Sequence, residues 1–450
     1  MGKKNRQKTI SVGFVALGCA KNIVDSEKML AGIGEAGFVI TGDVDNADVV
    51  VINTCGFIKP AKDEAIDAIR QSLKQKQKGK VKKVIVAGCL AQRMGEGLLR
   101  EVKGIDAIAG VAERENIARI IKKTISQSQN CELYLDGPLN KVHDDRGRLL
   151  LTPSHWAYLR IAEGCSRKCS FCTIPGIRGP FRSKPEELII SEARELVSNG
   201  AVELSIIAQD SNFYGKDLQA KEGLSKLIEK LETIDGLKWI RLMYLYPATI
   251  TDHLIEVIAN SKKVLNYIDI PAQHINNNIL KAMQRNDRKE KILELIEKLR
   301  IAMPDVALRT TVIVGFPGEK DAQFEELLDF VRFVRFDALG CFSFYPEEGT
   351  GAAKMPDQVP EPIKKARAEA LMLTQQEIAF TKGKEQLGEE YVCLVDEIIN
   401  EEYGYGRFFG QAPHIDGVCV IKNCSAKPGE FIKIKVIDTK DYDLVVEEVL

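Results

Sequence analysis

The sequence predicts an α/β protein with three regions: an N-terminal doubly wound parallel sheet, a central (β/α) partial barrel, and a small C-terminal antiparallel β-barrel. The length of 450 residues suggests roughly three domains at about 150 residues each. Apolar strand patterns alternate with helical patterns through most of the chain, which is typical of parallel sheets covered by helices. From about Gly388 short strands alternate with Gly and Pro turns instead, as in small β-barrels.

The N-terminal region, expected to span residues 1–130, alternates strands with helices. The predicted strands are Val12–Leu17, Val49–Asn53, Val84–Ala87 and Asp106–Val111, and the predicted helices are Asp25–Ala36, Pro60–Gln77 and Glu113–Ile125. These strands are continuously apolar, so helices are expected on both faces of the sheet. The polar stretch 126–130 and the charged stretch 141–148 are expected to form a connector.

The central region is expected to span residues 150–386 and the C-terminal region residues 387–450. Six central strands are predicted, at Ala157–Ala162, Glu203–Ala208, Trp239–Leu242, Tyr267–Ile270, Leu308–Val314 and Ala338–Phe344. They indicate a parallel barrel, partial or closed, with clear helices at Pro185–Asn199 and about Lys364–Gly383. The predicted C-terminal strands are Tyr391–Val395, Val418–Ile421 and Phe431–Ile437.

Composition excludes several classes of protein. With 45% hydrophobic and 28% charged residues and a net charge of -1, the chain is typical of soluble globular proteins and has no overall attraction to nucleic acid or anionic membrane. No apolar run approaches the ~20 residues that span a bilayer. The basic start Met1–Lys8 and the apolar run Ile10–Ala20 resemble a signal peptide, but that run contains two glycines and its removal would discard Cys19. We therefore expect a cytoplasmic protein whose eleven cysteines stay reduced.

The strongest motif is a C-x3-C-x2-C cluster formed by Cys165, Cys169 and Cys172, directly after the first central strand. Three thiolates in so short a loop can converge on one iron-sulfur cluster, and no fourth cysteine follows nearby. A four-iron cluster held by three cysteines leaves one iron open for the amino and carboxylate groups of S-adenosylmethionine, as radical chemistry requires. The alternatives are a zinc knuckle, which would want a fourth ligand nearby, and a chance grouping.

A second group of cysteines follows three different predicted strands. Cys19, Cys55 and Cys89 each stand beside a glycine at the end of a strand. Ligands of open parallel sheets gather at the carboxyl ends of the strands, so these thiols are expected at one edge, where they could hold a second cluster. Buried cysteines are also common as small core residues, and this interpretation stays open. It is the better one for Cys131, Cys341, Cys393, Cys419 and Cys424, which lack such a context.

These motifs resemble those of the radical S-adenosylmethionine methylthiotransferases over essentially the whole chain. The matching stretches are Leu17–Asn22, Asn53–Ile58, Ala87–Leu90, Glu163–Cys172, Arg178–Gly179 with Ser183, Ile313–Glu319, and Ala412–Pro413 with Ile415–Gly417. The resemblance implies a central radical-SAM barrel, a C-terminal TRAM-like β-barrel and two four-iron four-sulfur clusters. In that family Cys19, Cys55 and Cys89 would ligate the first cluster, and Cys165, Cys169 and Cys172 the second, which binds S-adenosylmethionine.

The branch of this family that modifies the β-carbon of an aspartate in a small-subunit ribosomal protein is the one most resembled. Thr54–Ile58, Ile207–Ser211 and the Ala-Pro-x-Ile-Asp-Gly string carry that similarity. Lys184, Lys320 and His414 depart from the family pattern, and none of these departures removes a cluster ligand. The resemblance implies that S-adenosylmethionine serves as both radical source and methyl donor, and it leaves the electron donor and the sulfur source unassigned.

The local charge of the C-terminal region favours a basic protein partner. Residues 388–450 contain thirteen acidic and six basic side chains, whereas a barrel that follows phosphates should be basic. A solvated acidic surface that aids solubility is the alternative. The lysine-rich run 74–83 points the other way, so an RNA contact there is kept as a secondary hypothesis beside a solvated helix end.

Cofactor or substrate contacts are expected from residues that follow the central strands. Gln209 and Asp210 come after the second strand, and Gln273 and His274 after the fourth, where barrel chemistry usually lies. A lone histidine is more often structural, and Gly315–Gly318 could serve either cofactor approach or a plain turn. Two other functions stay in view: a transfer-RNA adenosine methylthiotransferase, and a non-catalytic iron-sulfur electron carrier or RNA-binding scaffold.

Overall fold

The computed structural model describes residues 9–126, 131–137, 142–220, 222–400 and 402–449. The basic start and parts of the expected connector, 127–130 and 138–141, lie outside these ranges. The chain divides into two compact units. The first consists of Met1–Leu151, Glu163–Arg167 and Cys172–Arg182, and the second of Thr152–Ala162, Lys168–Phe171 and Ser183–Leu450. The predicted boundaries at 1–130, 150–386 and 387–450 stay a prediction.

The first unit is organised by a six-stranded parallel sheet. Its elements are β1 (Ser11–Ala16), α1 (Ala20–Glu35), β2 (Val39–Thr41), β3 (Val49–Thr54), α2 (Lys59–Gln77), β4 (Lys83–Gly88), α3 (Cys89–Met94), α4 (Glu96–Glu101), β5 (Ala107–Ala109), α5 (Ile117–Ser126) and β6 (Glu132–Tyr134). The strand order is β2-β1-β3-β4-β5-β6, and every strand pair is parallel. The order therefore reverses between β1 and β3, as in other doubly wound folds.

Both faces of this sheet are covered, as the apolar strands predict. Val50 and Ile52 of β3 pack with Ile69 of α2 on one face. Val49 and Val51 point the other way and pack against α1 and α5. Full burial of each such side chain contributes about 1.5–3 kcal/mol, so the two helix layers hold the strand ends in place.

The predicted bounds of the first unit are wrong in three places. Helix α1 begins at Ala20 rather than Asp25, because its first turns bury polar side chains that hide the apolar period. A 3-10 segment, Val111–Asn116, precedes α5, so that helix starts later than expected. The edge strands β2 and β6 were not predicted, because three residues are too short to show a period.

The second unit contains another six-stranded parallel sheet. The elements from residue 156 to residue 385, some in each unit, are β7 (Trp156–Arg160), β8 (Ala162–Glu163), α6 (Ile174–Arg178), β9 (Arg182–Ser183), α7 (Glu186–Ser198), β10 (Glu203–Ile207), α8 (Gly223–Glu232), β11 (Trp239–Leu242), α9 (Asp252–Asn260), β12 (Val264–Asp269), α10 (Asn277–Ala282), α11 (Lys289–Ala302), β13 (Ala307–Val314), α12 (Asp321–Val334), β14 (Ala338–Ser343) and α13 (Glu361–Glu385). The order β14-β13-β12-β11-β10-β7 leaves the sheet open among the described residues. The partial barrel is confirmed, and the closed version is wrong.

The C-terminal strands close into the predicted small barrel. They are β15 (Glu390–Ile398), β16 (Tyr403–Phe408), β17 (Cys419–Lys422), β18 (Phe431–Lys440) and β19 (Asp443–Glu448), in the order β15-β16-β17-β19-β18. One pair departs from the antiparallel prediction, because β17 and β19 run parallel. Strands β16 and β19 were missed, the first because two glycines interrupt its apolar alternation. Arg407 of β16 joins this barrel to Glu203 of β10 through a buried ion pair of 2.6 Å.

Candidate functional site

The ends of three neighbouring strands carry the N-terminal cysteines. Cys19 follows β1 and immediately precedes α1, Cys55 follows β3 directly, and Cys89 follows β4 as the first residue of α3. Since β1, β3 and β4 are parallel neighbours, the three residues lie at the same edge of the sheet. This edge includes the point where the strand order reverses, which is where open α/β sheets form their binding crevice.

Glycines let the three cysteine loops approach one another. A Cβ on Gly18, whose φ is +99°, would stand 2.8 Å from the Cβ of Cys55 and 3.4 Å from its Sγ. A Cβ on Gly56 would stand 2.7 Å from the Cα of Leu90 and 3.1 Å from the carbonyl carbon of Cys89. The shorter distance at each glycine, 2.8 Å and 2.7 Å, is too short for a real side chain, so the glycines are required for this close packing.

One buried cation, Arg178 of α6, contacts the cysteine site. Its Nη2 donates to Cys89 Sγ at 3.3 Å and lies 2.9 Å from Asp25 Oδ2. Its Nη1 lies 3.2 Å from Glu163. Asn22, in the first turn of α1, accepts from Nη2 at 3.4 Å. The polar side chains that obscured the start of α1 thus form one wall of the site.

A second layer of buried charge supports the first. Asp25 also pairs with Arg114 at 2.9 Å, and Arg114 pairs with Asp145 at 2.7 Å. The side chains of Arg114 and Asp145 are 1% and 0% exposed, so these charges are compensated almost entirely by one another. Breaking such a buried pair by removing one partner typically costs about 3–5 kcal/mol.

The three thiols differ in their surroundings. Although Cys19 is exposed, desolvation by the surrounding protein raises the pKa of its thiol. The charges of Lys21 and Arg178 and hydrogen bonds from backbone amides outweigh the desolvation, so the pKa of Cys19 is lowered overall. Burial raises the pKa of Cys55, and the negative form of Cys19 adds to that rise. Burial also raises the pKa of Cys89 to about 12, against the charge of Arg178. Each thiol therefore responds to Arg178, and the thiols influence one another.

The central cysteines lie on the loop between β8 and α6. The backbone N–H of Cys165 donates to the carbonyl of Gly179, the residue after α6, at 3.1 Å, which fixes the start of the loop against the end of that helix. Gly164, with φ +75°, makes this closure possible, because a Cβ there would overlap the carbonyl of Pro180. Next to Cys169, the backbone N–H of Ser170 donates to the Met283 carbonyl at 3.0 Å.

Three cysteine thiols form the donor set of each group, and thiolates are the ligands that iron-sulfur clusters take. Within the described ranges, no three His, Cys, Asp or Glu side chains stand close enough to hold one metal ion. A four-iron cluster instead takes each thiolate on a different iron, so its ligands stand further apart. Three thiols with glycines beside them provide the donors that such a cluster takes.

The predicted cofactor contacts lie at the carboxyl edge of the central sheet. Gln209 and Asp210 follow β10, and each has a buried side-chain oxygen. Gln273 follows β12 with φ +67°, and its backbone bonds Thr311 and Ile313 of β13 at 2.8 and 2.7 Å. Tyr244, after β11, has φ +61°. Left-handed backbone at non-glycine residues is often found at functional sites.

The contacts of His274 favour a structural role. The ring is 0% exposed, its Nδ1 accepts from the N–H of Asn276 at 3.0 Å, and its Nε2 lies 3.4 Å from Glu319. Glu319 also accepts from the N–H of Gly315 at 2.9 Å and pairs with Arg367 at 2.9 Å. The Gly315–Gly318 turn is therefore held in place from within the fold.

The three departures from the family pattern are accommodated locally. Lys184 forms a buried pair with Glu192 at 2.7 Å. Lys320 directly precedes α12. His414 packs its ring against Trp156 with centroids 5.0 Å apart. None of these contacts involves a cysteine of either group.

Several of the lysines in the 74–83 run already have partners. Lys76 and Lys83 both pair with Asp106, the latter at 3.2 Å, and Lys82 pairs with Asp48 at 2.6 Å. These contacts fasten the end of α2 and the start of β4. An RNA contact by the remaining lysines stays a prediction.

The chain matches three family models in the expected order. Residues 11–110 match the uncharacterized protein family UPF0004, residues 159–331 match the radical SAM superfamily, and residues 387–449 match the TRAM domain. In the part of the chain that the structure describes, no helix has the length and apolar character to cross a membrane.

Curated relatives match the chain from end to end. The ribosomal protein uS12 methylthiotransferase RimO of Clostridioides difficile is 43% identical over 441 residues, which are 97% of this chain and 98% of that protein. The proteins of the same name from Geobacter sulfurreducens and Pelotomaculum thermopropionicum are each 44% identical, covering 97% and 98% of this chain and 98% and 100% of their own lengths.

A solved structure shares the fold at much lower sequence similarity. The radical S-adenosylmethionine methyltransferase TsrM from Kitasatospora setae superposes with a TM-score of 0.54 over 74% of this chain and 73% of its own, at 12% identity. This similarity concerns architecture alone.

Proposed function

The chain belongs to the family of ribosomal protein uS12 methylthiotransferases, and we propose that it inserts a methylthio group at the β-carbon of an aspartate in that small-subunit ribosomal protein. The observation that carries this proposal is the 43% identity over 97% of the chain to a relative of that name. Membership of the radical SAM superfamily implies a four-iron four-sulfur cluster and S-adenosylmethionine.

Cys165, Cys169 and Cys172 would hold the radical cluster. Three protein thiolates leave one iron for S-adenosylmethionine, and the bound pair supplies a radical able to remove hydrogen from an unactivated carbon. The Gly164 turn and the Cys165–Gly179 hydrogen bond of 3.1 Å support this assignment, because they fold the chain back on both sides of the segment that carries the three cysteines. Gln209, Asp210 and Gln273, after β10 and β12, would contact S-adenosylmethionine or the substrate.

Cys19, Cys55 and Cys89 would hold a second four-iron four-sulfur cluster. Their place at one sheet edge, their mutual electrostatic influence and the glycines beside them support this assignment. This cluster would present the sulfur that is transferred, with a second S-adenosylmethionine as methyl donor.

The C-terminal barrel would face the basic protein substrate. Two of its acidic residues are used within the fold, since Asp396 pairs with Arg407 at 2.7 Å and Asp416 with Arg309 at 3.4 Å. Other acidic side chains are exposed, namely Glu389, Glu390, Glu397, Glu402, Glu430, Asp438, Asp441 and Glu447. Complementary charge of this kind steers a basic partner into encounter. The division into domains 1–130, 150–386 and 387–450 and a cytoplasmic location belong to the same proposal.

The deciding experiment compares two substrates. The anaerobically reconstituted enzyme is incubated with S-adenosylmethionine and reductant, together with either ribosomal protein uS12 or unmodified transfer RNA, and the products are weighed by mass spectrometry. We expect methylthiolated uS12 and unmodified RNA. The reverse result would establish the transfer-RNA activity instead, and the absence of 5′-deoxyadenosine in both reactions would favour a non-catalytic carrier.

A further inference from the structure

The N-terminal cysteine site contains a cation that none of the three strands provides. We propose that Arg178 is a positioning residue of this site: its guanidinium orients Cys89 and makes the reduction potential of the bound cluster less negative. The inference rests on the ligation by Cys19, Cys55 and Cys89 proposed above, and it concerns a residue that lies outside both cysteine groups.

The contacts of Arg178 fix the direction of its guanidinium. The side chain is 4% exposed and contacts Asp25, Glu163, Asn22 and Cys89. Asp25 and Asn22 belong to α1, which begins directly after Cys19. The guanidinium is thus held from one side by groups on α1 while Nη2 points to Cys89 Sγ at 3.3 Å. A guanidinium group held in this way loses little side-chain conformational entropy when it donates a hydrogen bond to sulfur.

The charge of Arg178 acts on the whole site. The guanidinium is 4% exposed and its Nη2 lies 3.3 Å from Cys89 Sγ, so solvent screens its charge only weakly at the site. Reduction adds a negative charge to a cluster, and hydrogen bonds and positive charge near its sulfurs stabilise the reduced form. Loss of Arg178 should therefore make the potential more negative.

The position of Arg178 in the chain links it to the central motif. It is the last residue of α6, on the segment that begins with Cys172. That segment belongs to the first compact unit together with Cys19, Cys55 and Cys89, and α6 packs against α3, which Cys89 begins. The same short helix therefore connects the end of one cysteine group to a ligand of the other.

Arg114 offers a matched control. Like Arg178 it is buried and pairs with Asp25 at 2.9 Å, but its recorded partners are the carboxylates of Asp25, Glu115 and Asp145, with no sulfur among them. Arg114→Gln therefore disturbs the same carboxylate without removing the donor to Cys89.

The test uses the full chain with Cys165, Cys169 and Cys172 replaced by Ala, so that only the N-terminal cluster can form. Iron and sulfide are counted, and the midpoint potential is measured by EPR-monitored redox titration. We expect Arg178→Gln to shift the potential to a more negative value, Arg178→Lys to shift it less because the charge remains, and Arg114→Gln to leave it unchanged.

The outcomes separate this inference from the proposed function. A parent protein without iron would overturn the second cluster and this inference with it. Bound iron with an unshifted potential in Arg178→Gln, or an equal shift in Arg114→Gln, would overturn the inference alone. If Arg178→Gln loses its iron, retention in Arg178→Lys and Arg114→Gln supports the positioning role, whereas loss in all three variants contradicts it.

Discussion

The six cysteines of the two groups are arranged in different ways. Cys165, Cys169 and Cys172 fall within one short loop, and Cys165 at its start is hydrogen-bonded to Gly179 after α6. Cys19, Cys55 and Cys89 follow three separate strands and depend on the order of those strands in the sheet. The first group is brought together by one loop, which Ser170 fastens to Met283, whereas the second requires the whole N-terminal sheet to form.

This difference teaches where each site is vulnerable. The spacing of Cys165, Cys169 and Cys172 is set within eight consecutive residues, so this group does not depend on the order of strands in a sheet. A site assembled from strand ends changes when one of its strands or crossing loops changes. The predictions below test that contrast, beginning with the largest expected effect.

Replacing each cysteine group by Ala should abolish different steps. The Cys165→Ala, Cys169→Ala, Cys172→Ala variant is expected to form no 5′-deoxyadenosine. The Cys19→Ala, Cys55→Ala, Cys89→Ala variant should still form it but make no methylthiolated product, with iron and sulfide reduced to half. Chromatography measures 5′-deoxyadenosine, and mass spectrometry measures the methylthiolated product.

Cys131→Ala is the control, because this thiol is partly buried and packs against the hydrophobic core of the N-terminal sheet. Loss of 5′-deoxyadenosine from both triple variants would contradict the assignment of different steps to the two cysteine groups.

Gly88→Ala should damage the strand-assembled site strongly. Gly88 has φ +91° and ψ -151°, and a Cβ there would overlap Asn53 Oδ1 and stand 2.8 Å from the Thr54 carbonyl oxygen. The backbone strain and the steric overlap of the new Cβ together should lower the free energy of unfolding by more than about 3 kcal/mol. Hydrogen exchange of the β3 amides and the iron count measure the effect.

Gly79→Ala is the matched control for that prediction. Gly79 also has a positive φ, +72°, but no atom lies within 4 Å of its added Cβ. We expect the free energy of unfolding of Gly79→Ala to fall by only about 1 kcal/mol and the iron content to stay unchanged. Equal damage in the two variants would show that backbone strain, rather than close packing beside Cys89, limits the site.

Acid should loosen the N-terminal sheet through Asp48. Its carboxylate accepts from the N–H of Ser11 at 3.0 Å and pairs with Lys82 at 2.6 Å. The hydrogen bonds from Lys82 and Ser11 lower the pKa of Asp48 from 3.8 to about 2. A lowered carboxyl pKa stabilises the fold above the unfolded value, so the contribution is complete above about pH 4 and is lost as the pH falls toward 2.

At 1.36 kcal/mol per pKa unit the full shift would correspond to about 2 kcal/mol, but Lys82 is 61% exposed, so solvent screening reduces the expected contribution to about 1 kcal/mol. Hydrogen exchange in the first unit should show the loss between pH 4 and pH 2 in the parent protein, and Asp48→Asn should remove that part of the pH dependence. An unchanged profile in Asp48→Asn would assign the acid sensitivity to other carboxylates.

Thr251→Ala should give the smallest effect and spare both sites. The Thr251 hydroxyl caps α9 by accepting from the N–H of Leu254 at 3.2 Å, and loss of such a cap costs about 1 kcal/mol. Trp156 and Trp239 are the two tryptophans of the chain and both lie in the second unit, so their fluorescence follows this change. The loss of unfolding free energy in Thr251→Ala should be the same at pH 4 and at pH 2. A change in iron content in this variant would contradict the expectation that both cysteine sites are spared.

The sequence predicted most of the scaffold because its strands are strongly patterned. Trp239–Leu242 was predicted to the residue, and the six central strands were all identified. Continuous apolar runs identify buried parallel strands whatever their partners are. The strand ends that carry Cys19, Cys55 and Cys89 follow from the same pattern, since parallel order brings them to one edge.

The parts that were missed depend on contacts between distant residues. The buried polar face of α1 has no apolar period, so Asp25 seemed to begin the helix rather than to lie inside it. The contact of Arg178 with Cys89 joins residues 89 positions apart, and nothing near Arg178 in the sequence indicates it. The parallel pairing of β17 with β19 likewise depends on how the barrel closes, which local patterns do not encode.

The contact between Arg178 and Cys89 also has a consequence for the order of synthesis. By the time Cys89 has been added to the growing chain, all three thiols of the N-terminal group exist, but their buried cation is added 89 residues later. By then Cys165, Cys169 and Cys172 have been added as well. The nascent protein therefore cannot complete the polar wall of its first cysteine site until the second cysteine group has been translated.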